Sequence, residues 1–136
     1  MFGKELGVRH YRHAIDSIFH MKNIAPPDVF AALSNAVRLR CLMLIATADD
    51  VCVCEVGEAL RIAQPAASKA LNALKGVGLV TARRDANWHY YSLDEDMPAW
   101  ARTIVDSTIA ELSAREPHRT DQRRLGRLDL RPAACA

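Results

Sequence analysis

The order of local patterns between residues 54 and 93 constrains the fold more than any other feature of the chain. Residues 54–60 carry apolar side chains at helical spacing, and residues 66–75 repeat that spacing after a short break. Pro65 suits the first turn of a helix, because its fixed φ and its missing amide donor cost little there. Gly76 and Gly78 then favour the end of the second helix. The sequence therefore predicts two short helices joined by a tight turn.

Two extended runs follow the second helix directly. Residues 79–84 and 88–93 are rich in β-branched and aromatic side chains, and the polar residues 85–87 join them. This pattern predicts a β-hairpin. Two short helices followed by such a hairpin are typical of a winged helix-turn-helix, in which the hairpin is the wing.

Helix patterns on both sides complete a mainly α fold. They are residues 5–21, residues 29–33 with Asp28 as the N-cap, residues 37–46, and residues 97–116 before Pro117. The predicted fold class is mainly α with a β-hairpin wing, about five or six helices plus two strands. The apolar stripe on residues 97–116 could cap the core, or it could form a homodimer interface with the N-terminal helix.

The charge of the chain is small but unevenly distributed. The formal net charge is +2, yet residues 61–91 contain five basic residues and one acidic residue, while residues 49–60 contain four acidic residues and no basic one. A basic surface on the second helix and the wing favours contact with nucleic-acid phosphates. Chance clustering on a solvated surface would give the same count, so the charge supports the helix-turn-helix interpretation without deciding it.

The candidate DNA-binding residues lie on the second helix and on the wing. Polar and basic side chains opposite the apolar stripe can reach phosphates and base edges, and basic side chains on a wing can reach the backbone or the minor groove. The candidates are Gln64, Ser68, Lys69, Asn72, Arg83, Arg84, Asn87 and His89. Double-stranded operator DNA is the predicted partner.

Two cysteines, Cys52 and Cys54, stand at the beginning of the first short helix. Thiolates bind soft metal and metalloid ions, and a disulfide between residues two apart would be strained. On a regular helix two such side chains point about 200° apart, so both sulfurs can reach one ion only if the backbone around Val53 is extended or frayed. The remaining thiols are Cys41, in an apolar helix pattern, and Cys135, near the C-terminus.

Other classes of protein are disfavoured. No apolar run approaches the roughly 20 residues that span a bilayer, and Lys4, Arg9 and Arg12 interrupt the N-terminal segment, so we expect a cytoplasmic protein without membrane contact. No nucleophile with an orienting base, no paired carboxylates and no Gly-rich phosphate loop stand out. We therefore expect neither an enzyme nor an organic cofactor.

Five motifs in order resemble the ArsR/SmtB family of bacterial winged-helix repressors. They are residues 30–40, 51–56, 64–71, 78–80, and 83–84 with 90–93. The resemblance implies a homodimer that represses a metal or metalloid resistance operon and leaves its operator when the inducer binds. The Cys-Val-Cys run resembles the arsenite site of the arsenic-responsive branch, which implies As(III) as inducer, with Sb(III), Cd(II) and Pb(II) as alternatives.

The chain departs from that branch at Gly57, where the branch has a third cysteine. Three thiolates hold trivalent arsenic, so Cys135 or Cys41 would supply the missing sulfur, or the site would have two ligands. A redox switch that pairs one of these thiols with Cys52 or Cys54 also stays open.

The cadmium- and lead-sensing relatives borrow ligands from the N-terminal arm. That arm offers His10, His13 and His20 here, which an ordinary solvated surface would explain equally well. Glu55 and the neighbouring aspartates could provide oxygen ligands to those ions. The family resemblance thus leaves the identity of the ion open.

The chain divides into three predicted parts. Residues 1–25 form an N-terminal dimerisation arm, residues 26–116 the DNA-binding and sensor domain with its C-terminal dimerisation helix, and residues 117–136 a mobile basic tail. We expect the short helix at residues 54–60 to transmit ion binding, because it would set the angle of the DNA-reading helix beside it.

Overall fold

A computed structural model describes residues 23–128. The elements, in chain order, are α1 (Pro26–Leu33), α2 (Ala36–Ala48), β1 (Val51–Cys52), α3 (Val53–Leu60), α4 (Gln64–Val77), β2 (Val80–Asp85), β3 (Trp88–Leu93), α5 (Ala99–Leu112) and α6 (His118–Gly126). These elements confirm the predicted mainly α, winged fold. The helix predicted at residues 5–21, its three histidines and Cys135 lie outside the described residues.

The helix boundaries follow from capping and proline chemistry. Ala25 is the N-cap of α1, so the prediction that Asp28 caps this helix is wrong. The fixed φ of Pro26 suits the first helical position, and Asp28 instead lies in the first turn, where its charge favours the helix dipole. At α2 the Asn35 side chain accepts a hydrogen bond from the Arg38 amide at 3.0 Å. Gly78 ends α4 with a φ of 99°, a left-handed conformation that glycine adopts without strain.

Helix α2 forms the centre of the core. Its segment from Cys41 to Ile45 is buried on all sides, and α4 packs against it. Leu71 and Leu74 of α4 are fully buried there. Replacing a buried leucine of this kind by alanine costs about 2–5 kcal/mol, so the inner face of α4 is fixed by packing and its outer face is left to solvent. Among residues 23–128 no single helix could cross a membrane by length and composition, and the one pair that passes together, α1 with α2, is bent by 98°.

The sheet has three strands in the order β1-β3-β2, all antiparallel. The hairpin of β2 and β3 was predicted, but β1 was not. Only Val51 and Cys52 form β1, opposite Tyr91 and Tyr90 of β3. A strand of two residues has no alternation to detect, so the sequence could not indicate it. The sulfur-bearing segment is consequently part of the wing sheet.

The segment that follows Pro117 departs from its sequence prediction. A mobile tail was expected, but residues 118–126 form α6, which packs on α2 and α3. His118 and Asp121 are buried in that contact. The prediction failed because α6 is held mainly by polar side chains, and Leu125, which packs against the core, is too isolated to give an apolar periodicity in the sequence.

Candidate functional site

The two cysteines meet at the beginning of α3. Cys52 is the N-cap, with φ −87° and ψ 161°, and the helix starts at Val53. This extended residue turns the first sulfur toward the second, as the sequence argument requires. The Sγ atoms of Cys52 and Cys54 are 3.3 Å apart, a contact much longer than the ~2.05 Å of a disulfide bond.

A capping box holds the first sulfur in place. The carboxylate of Glu55 accepts a hydrogen bond from the Cys52 amide at 3.0 Å. In return the Cys52 side chain accepts one from the backbone amide of Glu55. An ion bound by the Cys52 sulfur would therefore disturb the capping box at the start of α3.

The spacing of the sulfurs limits the ions that they can hold together. If each sulfur lay about 2.3 Å from an ion, as in zinc–thiolate bonds, a separation of 3.3 Å would give an S–ion–S angle of about 90°. That angle suits a pyramidal ion with a lone pair better than the tetrahedral geometry that zinc prefers. Both cysteines are buried, with exposures of 1% for Cys52 and 8% for Cys54, so an ion must open the start of α3 to enter.

No third ligand joins the pair within residues 23–128, where no group of three or more potential ligand side chains could hold a metal ion. Cys41 is fully buried in the core, and burial raises the pKa of its thiol to about 12, which disfavours the thiolate that would bind an ion. A Cβ atom at Gly57 would lie 3.3 Å from the carbonyl oxygen of Ile62. The described residues thus provide two sulfur ligands, and the carboxylate of Glu55 is already hydrogen-bonded to the Cys52 amide.

The predicted DNA-binding residues of α4 lie on its solvent side. Gln64, Lys69 and Asn72 are exposed and Ser68 is half-buried, while the opposite side of the helix packs into the core. Ala63 is the N-cap of α4 and provides no side-chain hydrogen bond. The backbone amides of Ala66 and Ala67 at this end of the helix donate to the Ala63 carbonyl at 3.0 and 3.1 Å.

The predicted wing residues Arg83, Arg84, Asn87 and His89 are all exposed. Arg83 donates from Nη2 to the Asp50 carboxylate at 2.7 Å, and its guanidinium lies 4.8 Å from the centre of the Tyr90 ring. The hydrogen bond to Asp50 raises the pKa of Arg83 above its usual value, so the side chain stays cationic. Arg84 donates to the carbonyl oxygen of Ala86 at 3.1 Å.

A polar network at the other end of α3 was missed by sequence reasoning. Arg40 donates to the Leu60 carbonyl at 3.0 Å and Arg124 to the Ala59 carbonyl at 3.3 Å. These side chains satisfy carbonyls of the last turn, which have no partner inside the helix. The one local signal was the presence of two arginines, Arg38 and Arg40, in an otherwise apolar helix pattern at residues 37–46.

The comparisons with known proteins agree with one another. Residues 35–82 match the sequence model described as bacterial regulatory protein, arsR family. The chain is 35% identical to the arsenic resistance transcriptional regulator ArsR1 of Pseudomonas putida over 86% of this chain and 93% of that protein. It is 40% identical to ArsR2 of the same organism, over 63% of this chain and 75% of that protein.

Solved structures show the same fold. The homodimeric winged helix-turn-helix DNA-binding domain of Mb0332 from Mycobacterium bovis has a TM-score of 0.54 and 30% identity, over 62% of this chain and 74% of that one. The transcriptional repressor BigR of Xylella fastidiosa, at 24% identity, has a TM-score of 0.57 over 83% of this chain and 95% of that one, a likeness of fold alone. The relatives are transcriptional regulators, which confirms the prediction that the chain is not an enzyme. The chain belongs to the ArsR family of bacterial regulatory proteins.

Proposed function

We propose that the chain is a cytoplasmic repressor that binds operator DNA as a homodimer and dissociates when As(III) binds Cys52 and Cys54. The observation that carries this proposal is the 3.3 Å contact between the two sulfurs at the head of α3. The angle derived from that contact favours a pyramidal ion. The names of the relatives, which are arsenic resistance regulators, support the same inducer.

Cys135 supplies the third sulfur in this proposal. Gly126, at the end of α6, lines a cavity of about 420 Å³ together with Asp50, Val51 and Glu55. The chain therefore leaves α6 beside the segment that carries the cysteines. Cys135 is the ninth residue after Gly126, and nine residues can span at most about 30 Å, which is ample for the sulfur to reach the pair. Cys41 is the weaker candidate because it is locked in the core.

DNA is bound by α4 and the wing. The exposed side of α4, with Gln64, Ser68, Lys69 and Asn72, enters the major groove, while Arg83 and Arg84 of the wing approach phosphates. Two copies are needed to read a palindromic site. The half-buried apolar side chains of α5, among them Trp100 and Ile109, support a two-fold interface completed by the N-terminal arm.

Release follows from the position of α3. Ion binding takes the Cys52 sulfur out of the capping box and shifts the start of α3, which packs against α4. The two copies of α4 then no longer fit successive major grooves. A 100-fold loss of DNA affinity requires a coupling free energy of about 2.7 kcal/mol, within the usual allosteric range.

The test is DNA release in solution. A duplex selected from a random library with the wild-type protein is labelled, and its fluorescence anisotropy is followed during arsenite addition under anaerobic, reducing conditions. Arsenite should release the wild type, whereas Cys52→Ser and Cys54→Ser should stay bound. Cys41→Ala is the matched control and should respond normally. Undiminished release from Cys52→Ser would refute the site.

Separate additions of antimonite, cadmium, lead and peroxide distinguish the alternative inducers. A response to peroxide alone would replace the ion site by a redox switch. X-ray absorption at the arsenic edge then counts sulfur neighbours. The wild type should have three and Cys135→Ser two; an unchanged count would remove Cys135 from the site.

A further inference from the structure

The acid that precedes β1 binds an arginine of the wing. Asp50 Oδ2 accepts a hydrogen bond from Arg83 Nη2 at 2.7 Å, while Asp85, within the wing itself, lies 3.7 Å from the same guanidinium. The side chains of Arg83 and Asp50 are 52% and 40% exposed, so water and solutes reach the pair. The nearest carboxylate to Arg83 thus comes from outside the hairpin, 33 residues earlier in the chain.

The sheet fixes this contact. Tyr90 of β3 is opposite Cys52 on one side and opposite Arg83 on the other. The cysteine, the tyrosine and the arginine consequently occupy one row across three adjacent strands, with the Tyr90 ring against the guanidinium. Asp50 comes two residues before Cys52, so the long Arg83 side chain reaches from that row back along the sheet to the Asp50 carboxylate.

We propose that Asp50 competes with DNA phosphate for Arg83. A carboxylate and a phosphate accept the same N–H donors of a guanidinium, so the bond to Asp50 must be shared or broken when Arg83 reaches the DNA backbone. The acid beside the cysteines thereby sets how much positive charge the wing presents. The inference rests on the DNA-binding part of the proposed function and is independent of the identity of the inducer.

The experiment measures DNA affinity without any inducer. A phosphate contact is independent of base sequence, so a labelled duplex of mixed sequence suffices, and anisotropy gives the Kd of the full chain at several salt concentrations. Asp50→Asn removes the competitor. Asp49→Asn is the matched control, because it removes the same charge from the adjacent exposed residue, for which the structure gives no contact with Arg83.

Asp50→Asn should tighten binding about two- to five-fold, the range for an exposed ion pair, and by more than Asp49→Asn. The extra gain in affinity of Asp50→Asn over Asp49→Asn should disappear when both proteins also carry Arg83→Ala. Equal effects of the two asparagine variants would overturn the inference, and so would a gain that survives Arg83→Ala or a loss of affinity in Asp50→Asn. If the wild type binds no duplex at all, the proposed DNA-binding function fails together with the inference. If the wild type binds DNA and the variants give one of the contrary results above, only the inference about Asp50 fails.

Discussion

Asp121 of α6 accepts two hydrogen bonds from the Arg40 guanidinium of α2, at 2.8 Å from Nε and at 2.7 Å from Nη2. The aspartate is 2% exposed and the arginine 21%. The same guanidinium donates to the carbonyl of Leu60, the last residue of α3. One arginine therefore ties the central helix, the C-terminal helix and the helix that begins at the cysteines.

Asp121→Ala should lower the free energy of unfolding by about 2–3 kcal/mol. Removing one partner of a buried pair leaves the other charge uncompensated and costs about 3–5 kcal/mol, and the partial exposure of Arg40 reduces that loss. Urea denaturation monitored by tryptophan fluorescence measures it. Asp106→Ala, which removes an exposed pair with Arg102, should cost less than about 1 kcal/mol. Equal losses would show that α6 is not anchored by this bond.

His118 should make stability depend on pH. The side chain is buried, and its Nδ1 has no hydrogen-bond partner among residues 23–128. Burial lowers the pKa of His118 below its ordinary value of 6.5; Arg40 acts in the same direction, and Asp121 and Glu116 oppose it. The unfolded chain therefore takes up a proton at higher pH than the folded chain does. Stability is full above pH 6.5 and falls as the pH drops through 6.5 toward the folded pKa.

His118→Gln should flatten that dependence. The free energy of unfolding, measured in urea at about pH 7.5 and about pH 5.5, should fall less for this variant than for the wild type. His89→Gln on the exposed face of β3 is the control and should keep the wild-type slope. A slope unchanged by His118→Gln would assign the dependence to other groups.

Gly57→Cys should strengthen arsenite binding in a Cys135→Ser protein, which lacks the proposed third sulfur. The new residue lies three positions after Cys54, on the same side of α3, so its sulfur can approach the pair. Its Cβ would meet the Ile62 carbonyl oxygen at 3.3 Å, which requires a small shift and costs on the order of 1 kcal/mol of stability. Gly57→Ala carries the same crowding without the sulfur. With both variants made in a Cys135→Ser protein, arsenite affinity should rise at least about ten-fold in the cysteine variant relative to the alanine variant, and equal affinities would contradict a three-thiolate site.

Local patterns predicted the elements that local chemistry determines. The period of the apolar residues and the final glycine indicated α4, and the β-branched and aromatic runs indicated the hairpin. The extended backbone at Cys52 was also predicted, because side chains two residues apart on a regular helix point about 200° apart and could not meet. What the sequence could not show depends on residues far apart in the chain.

The missed features share that cause. Asp50 reaches Arg83 across 33 residues, and Arg40 reaches Asp121 across 81. Strand β1 is defined by its pairing with β3 rather than by any pattern of its own. Helix α6 is polar and is held by such distant bonds, with Asp121 accepting from Arg40 and Arg124 donating to the Ala59 carbonyl, so its composition resembles that of a mobile tail.

The exposed side of α4 should separate affinity from sequence preference. Lys69→Ala should weaken binding to all duplexes, because an ammonium binds phosphate without reading bases. The slope of log affinity against log salt concentration, which we call the salt slope, should fall by about the amount that one phosphate contact contributes. Asn72→Ala should lose about 1–3 kcal/mol on the selected duplex and little on one changed at a single position, because an asparagine amide reads a base edge. Anisotropy with a panel of single-position duplexes measures both effects. Lys75→Ala, in the last turn of α4, is a charge-matched control for Lys69 and should change the salt slope less. If Lys69→Ala altered the preference and Asn72→Ala altered only the slope, α4 would bind DNA in another orientation.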